Sequence, residues 1–468
     1  MRKSPAVHAE GRIRPVESSA MKILRVLAAG CLAAPLIASA VTEVPVPADA
    51  ASAPPVSLSA RKVYEQARSQ LLQIRTVLKG RASQTSVGSG FVVSKEGHII
   101  TNFHVVSEVA LEPANHDLVY VTADGREAKL DILMLDVLHD LALVKPAAPA
   151  KGEASPKEAP AWDALSFRPQ KQALAQGERM YSLGNPLDVG FAVIEGNYNG
   201  LVERSFYPQI FFSGALSAGM SGGPALDQEG RVIGVNVARR VDGEQVSFLV
   251  PANFATALLE RGRSAPPMKG TAHAEMTRQL MEHQQVLTDR FIEQGWKSAT
   301  HPRYRVPVPP DRFMRCWGAS HQSRTGGLDY EDSQCVMDTR IFVGQYTTGA
   351  ISLRHQSYDG TKLGTMRFAA RHAASFRNEN FRRLGGEHMT KPQCHENFIT
   401  HDKLPMRAVV CMRAYKKLPQ LYDVAVLVAT LDQSQAGVQG RFDAQGVSFP
   451  NAMRLTQAYL DAYGMLKQ

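Results

Sequence analysis

One serine in this chain stands where acyl-transfer chemistry could be done. Ser221 lies in Gly219-Met220-Ser221-Gly222-Gly223-Pro224, between the apolar run Ile210-Phe211-Phe212 and the strand-like run Arg231 to Val235. Glycine takes positive φ without steric cost, so three glycines and a proline around a serine describe a tight turn that exposes the hydroxyl. The same turn can aim its own N–H groups at one point, as a developing oxyanion requires. A serine hydroxyl is a poor nucleophile near neutral pH and needs a base, and the base needs a carboxylate to orient it. His104 lies upstream in Gly97-His98-Ile99-Ile100-Thr101-Asn102-Phe103-His104-Val105-Val106, and Asp140 in His139-Asp140-Leu141-Ala142-Leu143-Val144-Lys145. Imidazole can take and return a proton near neutral pH, and a carboxylate accepting its second N–H fixes the tautomer. Asp131 and Asp136 are the neighbouring carboxylates, but neither opens the Asp-Leu-Ala-Leu block.

These residues sit on or between short strand-like runs. The first set is Leu71–Leu78, Ser89–Ser94, His98–Thr101, Leu118–Thr122, Ala128–Leu135 and Leu141–Lys145, with Asp124-Gly125 as a turn signal. The second is Arg179–Leu183, Phe191–Glu195, Gln209–Ser213, Arg231–Val237 and Val246–Val250. Regular short strands without long helices indicate an all-β barrel or sandwich. Residues 59–69 read as a short helix, Arg81–Val87 as a polar loop, and 146–161, rich in Ala, Pro, Lys and Glu, as a surface loop.

With Gly88-Ser89-Gly90-Phe91 added, the blocks together resemble the trypsin-like (chymotrypsin-fold) serine peptidases, and within them the bacterial HtrA/Deg-like subgroup. The resemblance covers roughly residues 60–260, a little under half of the chain. It implies a mainly β fold of two six-stranded-type barrels with the site in the cleft between them. It also implies Ser221 as nucleophile, His104 as base, Asp140 as orienting acid, and an oxyanion hole from the N–H groups of Gly219 and Ser221. By the same resemblance Ala215, Asn236 and Val237 would line the primary specificity pocket. No acidic residue falls at its base, so small or medium aliphatic residues are expected before the scissile bond. Two positions depart from the family pattern: Met220 stands where Asn or Asp is usual, and Phe103 where a small or amide residue is common. A PDZ-type carboxylate-binding loop is missing, so cage-forming behaviour is not carried over. A catalytically inactive, protease-derived binding module of the cell envelope is the alternative, and an esterase using the same triad is a third reading.

A chain of 468 residues has room for two or three domains. The expected division is a leader and signal peptide at 1–40, a Pro- and Ala-rich tether at 41–57, the protease domain at 58–262, a helix and Pro-rich linker at 263–310, and a separate α+β domain at 311–468. Met21-Lys22 and Arg25 form a positive n-region, Val26–Ile37 an apolar h-region, and Ala38-Ser39-Ala40 a cleavage site before Val41. The h-region is too short to span a bilayer. Residues 1–20 read as an unusually long leader, or Met21 as the true start, and lipidation at Cys31 is the rival to ordinary cleavage.

The formal net charge of +9 divides as +4 over residues 1–40, −4 over 41–262 and +9 over 263–468. The basic residues of the C-terminal half are dispersed, which argues for a solvated face over nucleic-acid binding. Protein or peptide substrates are the expected partners, with association with the anionic envelope as a secondary expectation. Residues 272–296 carry a helical pattern, His301–Pro310 breaks it, and strands are expected at Arg340–Tyr346, Ala350–Tyr358, Leu363–Phe368, Met406–Tyr415 and Leu421–Leu431 before a closing helix at 449–466. Cys316, Cys335, Cys394 and Cys411 remain after the leader, an even number that suggests disulfides in an exported protein. Short loops favour Cys316–Cys335 and Cys394–Cys411. The C-x₂-C spacing of a zinc site is absent, and no cofactor is expected.

Overall fold

A computed structural model describes residues 57–466, apart from 82, 149–161, 240–244, 310–312, 324–326, 339–340, 377–380 and 382–385. The leader, Cys31, the tether up to residue 56 and most of the 146–161 loop lie outside the described residues.

Helix α1 (Leu58–Ala67) leads into six strands: β1 (Leu71–Leu78), β2 (Gln84–Val92), β3 (Ile99–Thr101), β4 (His116–Thr122), β5 (Glu127–Asp136) and β6 (Leu141–Pro146). They close into an antiparallel barrel in the order β1-β2-β3-β6-β5-β4, with helix α2 (Phe103–Leu111) between β3 and β4. A second barrel follows: β7 (Arg179–Gly184), β8 (Ala192–Leu201), β9 (Ile210–Phe212), β10 (Pro224–Leu226), β11 (Val232–Arg239) and β12 (Ser247–Pro251), closed as β10-β11-β12-β9-β8-β7. Closure removes the unpaired edges an open sheet would present. Phe91, Ile100 and Leu143 of the first barrel share one buried cluster with Tyr181, Leu183 and Val235 of the second, which fixes the cleft between them. Burial of such side chains is the main favourable term holding the two barrels together.

Helix α3 (Ala252–Gly262) closes the second barrel, and α4 (His273–Gln294) follows. Far from being a spacer, α4 is buried at both ends. Met276 and Leu280 join the core of the first barrel, whereas Leu287 and Phe291 join the core of the C-terminal half.

That half is built on a seven-stranded antiparallel sheet: β13 (Met314–His321), β14 (Asp329–Met337), β15 (Ile351–Asp359), β16 (Gln393–His401), β17 (Leu404–Ala414), β18 (Tyr422–Thr430) and β19 (Ala436–Val447), ordered β13-β14-β15-β19-β18-β17-β16. Helices α5 (Thr365–Ser375) and α6 (Phe449–Asp461) complete it.

Two expected strands are corrected. Within 340–346 only Ile341–Phe342 pairs, with Thr347–Thr348, as a short hairpin. Leu363–Phe368 turns at Gly364 (φ +71°) into α5. There Phe368 and His372, four residues apart, bury one helical face, so period 3.6 wins over period 2. No helix among the described residues is long and apolar enough to cross a membrane.

Disulfides join Cys316 to Cys335 and Cys394 to Cys411, each pair directly opposite in register. They staple the two edge strands, β13 and β16, to their inner neighbours. The sequence separations of 19 and 17 residues correspond to roughly 3 kcal/mol each in the chain-entropy account. Reduction is therefore expected to lower the melting temperature of the C-terminal half, read by calorimetry with and without reductant.

Candidate active site

His104 stands in the first turn of α2, immediately after the short strand β3. Asp140 stands in the turn between β5 and β6, with φ at +54°. A non-glycine residue in the left-handed region is uncommon, and Asp is among the few that tolerate it. Four hydrogen bonds hold it there. The carboxylate accepts from the His104 backbone N–H at 2.8 Å and meets the ring Nδ1 at 2.6 Å, while its carbonyl accepts from Asn102 Nδ2 at 2.8 Å and from Phe103 N–H at 3.1 Å. The imidazole thus presents Nε2 outward, with no partner among the described residues. Burial opposes charge on His104, but the Asp140 charge and hydrogen bond outweigh it, so its pKa stands above the ordinary 6.5.

The rival carboxylate, Asp136, is occupied elsewhere. It accepts from His139 Nδ1 at 2.9 Å and lies 3.5 Å from Arg261. Burial works against its charge, yet His139 and Arg261 hold it below the usual carboxylate range.

The Ser221 turn connects β9 to β10. Gly219 has φ of +90°, and a Cβ there would come within 2.4 Å of the Asn185 carbonyl. Ser89, on β2, braces the turn from below: its hydroxyl donates to Gly219 O at 2.7 Å and its N–H to Ser221 O at 2.7 Å. The Ala218 carbonyl accepts from Leu187 N–H at 2.8 Å, which turns the Gly219 N–H the other way. Among the described residues the N–H groups of Gly219 and Ser221 make no hydrogen bond. Two unpaired donors on one turn suit a developing oxyanion. The Ser221 hydroxyl donates to Val237 O at 2.9 Å. Gly219→Ala should lower kcat on the order of a hundredfold or more; kinetics and a melting curve on the same sample separate loss of the donor from loss of fold.

Both unusual residues turn their side chains into barrel cores. Met220 is buried in the core of the second barrel with Phe212 and Leu216. Phe103 is buried in the core of the first, against Phe342.

The three expected specificity residues are placed differently from one another. Ala215 is exposed. Asn236 is corrected: its side chain is fully buried, donating to Leu183 O at 2.9 Å and Met220 O at 3.2 Å and accepting from Ser182 Oγ at 2.8 Å. It braces the turn from inside the barrel, because alternation on β11 sends it inward. Val237 contributes its carbonyl to Ser221.

Two supports come from residues far along the chain. Gln279 of α4 donates to Leu135 O at 2.8 Å and accepts from Val137 N–H at 2.9 Å, gripping the end of β5 just before Asp140. Phe342, on the C-terminal hairpin, meets the His104 ring edge-on, with centroids 6.1 Å apart. Neither carries a local signal, since each acts across well over a hundred residues of sequence. Ser89 and Asn102 lie within the quoted motif blocks, so a signal existed for them. Among the described residues no group of three or more His, Cys, Asp or Glu side chains could hold a metal ion.

Residues 88–235 match the family model described as trypsin-like peptidase domain. A Synechocystis sp. protein named as a serine protease, HhoB, is 31% identical over 214 residues, covering 42% of this chain and 47% of its own. A Hahella chejuensis protein named a probable periplasmic serine endoprotease, DegP-like, is 29% identical over 216 residues, covering 44% and 42%. The chain thus spans under half the length of these curated relatives. Among solved structures, a serine endoprotease from Yersinia pestis aligns over 44% of this chain and 67% of its own, at 21% identity and a TM-score of 0.36.

Proposed function

The chain carries a trypsin-like peptidase domain, and from that premise we propose that it is an exported serine endopeptidase acting through Ser221, His104 and Asp140. The observation that carries this reading is the clamp on His104, whose Nδ1 lies 2.6 Å from Asp140 while Nε2 is left free. The Ser221 hydroxyl donates to Val237 O and must turn from it to His104 Nε2 for the proton to be transferred. The oxygen then adds to the substrate carbonyl, and the N–H groups of Gly219 and Ser221 take the negative charge. His104 returns the proton to the departing amine, leaving an acyl-enzyme on Ser221. A water activated by the same imidazole hydrolyses that ester.

Export is supported by the leader pattern at 21–40, by two disulfides and by the periplasmic naming of the Hahella relative. Cleavage after small or medium aliphatic residues is proposed on Ala215 and Val237, without Asn236. Mass-spectrometric sequencing of products from a peptide library tests both points. New amines after aliphatic residues are expected, and an undigested library in the presence of folded protein would turn the reading to a binding module.

A further inference from the structure

A cavity of about 360 Å³ opens beside His104. One wall is the first barrel, with Ser86 on β2 and Glu108 on α2; the other is the C-terminal half, with Phe342, Tyr346 and Lys417. None of the described lining residues comes from the second barrel. The acyl half of a substrate would lie over the second barrel, beside the Val237 carbonyl that now holds the Ser221 hydroxyl. The amine that leaves must stay near His104, which protonates it, so the chain beyond it runs toward this cavity.

The charges in the cavity are not equivalent. Glu108 accepts from the Thr85 hydroxyl and lies 3.9 Å from His116 Nε2, and Glu112 accepts from Asn115 at 3.2 Å. Lys417 makes no ion pair or hydrogen bond among the described residues. Its charge reaches inward, since after burial it is the main influence lowering the pKa of His273, another lining residue. The two acids are already engaged by Thr85, His116 and Asn115, whereas Lys417 offers one ammonium without a partner among the described residues, a local point at which a carboxylate can pair. The volume is at the small end for ligand pockets, suited to a short stretch of peptide.

We infer that this cavity binds the leaving-group segment of the substrate, and that Lys417 pairs there with a carboxylate. The inference rests on the endopeptidase reading and makes the C-terminal half a wall of the active site. The carboxylate can be an acidic side chain just after the scissile bond or the α-carboxylate of a short C-terminal piece.

Peptides sharing one acyl half and differing only in the leaving half separate these sources: neutral and amidated, glutamate-bearing and amidated, neutral with a free carboxylate, and lysine-bearing and amidated. For the wild-type protein, kcat/KM is expected to be about tenfold higher for at least one carboxylate peptide than for the lysine peptide, as one contact to a charged group provides. A gain with the glutamate peptide alone identifies the side chain, and a gain with the free carboxylate alone identifies the chain terminus. Lys417→Met should remove the preference, and Lys417→Glu should invert it. Equal rates for all four peptides, or a preference unchanged in both variants, would overturn the inference while leaving the peptidase reading intact. Failure to cleave any of them, the neutral one included, would overturn the peptidase reading and this inference together.

Discussion

Ser221→Ala and His104→Ala are each expected to slow peptide hydrolysis by about a millionfold, because members of such a triad act as a unit. The loss should be nearly the same for either substitution and should not grow in the double variant. Without the hydroxyl no acyl-enzyme can form. Without the imidazole the hydroxyl keeps its proton, held by the Val237 carbonyl at 2.9 Å. Ser221→Ala should leave the fold undisturbed, whereas His104→Ala gives up the ring's pairing with Asp140 and should cost some stability in acid. Ser221 is on a turn already braced by Ser89 and Asn236, and His104 is half-buried in the first turn of α2 with its ring against Phe342. Steady-state kinetics at saturating substrate, with a melting curve for each variant, checks both statements.

Asp140→Asn comes next, with an expected loss on the order of ten-thousandfold in kcat. Asparagine also tolerates the left-handed backbone that Asp140 adopts at φ +54°. The turn should therefore survive while the imidazole tautomer is no longer imposed. The pH profile gives a second reading. His104 must be neutral to accept a proton, and in the wild type its pKa is raised by Asp140 against the opposing effect of burial. Activity should therefore rise with pH through a pKa above 6.5, and in Asp140→Asn that acid limb should move down. Stability runs the other way. A raised folded-state pKa contributes stability that is fully present below 6.5 and is lost as pH rises through the folded value. The stability gap between wild type and Asp140→Asn should accordingly be wider in acid than at the pH of greatest activity.

What could be read from the chain, and what could not, follows from how local each constraint is. The Ser221 turn needs positive φ at Gly219 and Gly222 and has no room for a Cβ at Gly223, 2.1 Å from the Leu183 carbonyl, so it is written in six residues. The barrel strands are short apolar runs between turn signals, and the eleven expected runs each fall on a barrel strand, but β2 begins at Gln84 inside the expected polar loop Arg81–Val87, β4 begins at His116, β8 continues to Leu201, and the brief β10 is a twelfth strand. Helix α2 was hidden because Phe103, Val105 and Val106 suit a strand as well as a helix, and packing in the first barrel decides between them. Asn236 lies on a strand whose alternation sends its amide inward, where three hydrogen bonds satisfy it; the resemblance offered only its position. Gln279 and Phe342 have no local signature at all. Their roles exist only once α4 and the C-terminal hairpin have folded back onto the first barrel, a contact that linker-like composition at 263–310 does not announce.

The most direct test of the account is covalent labelling of the purified, folded protein by a fluorophosphonate, followed by mass spectrometry of the digested adduct. The account predicts one adduct per chain on the Ser221 hydroxyl, and none in His104→Ala over the same interval. A folded protein that takes no label, or one labelled on another residue while Ser221 stays free, would contradict it.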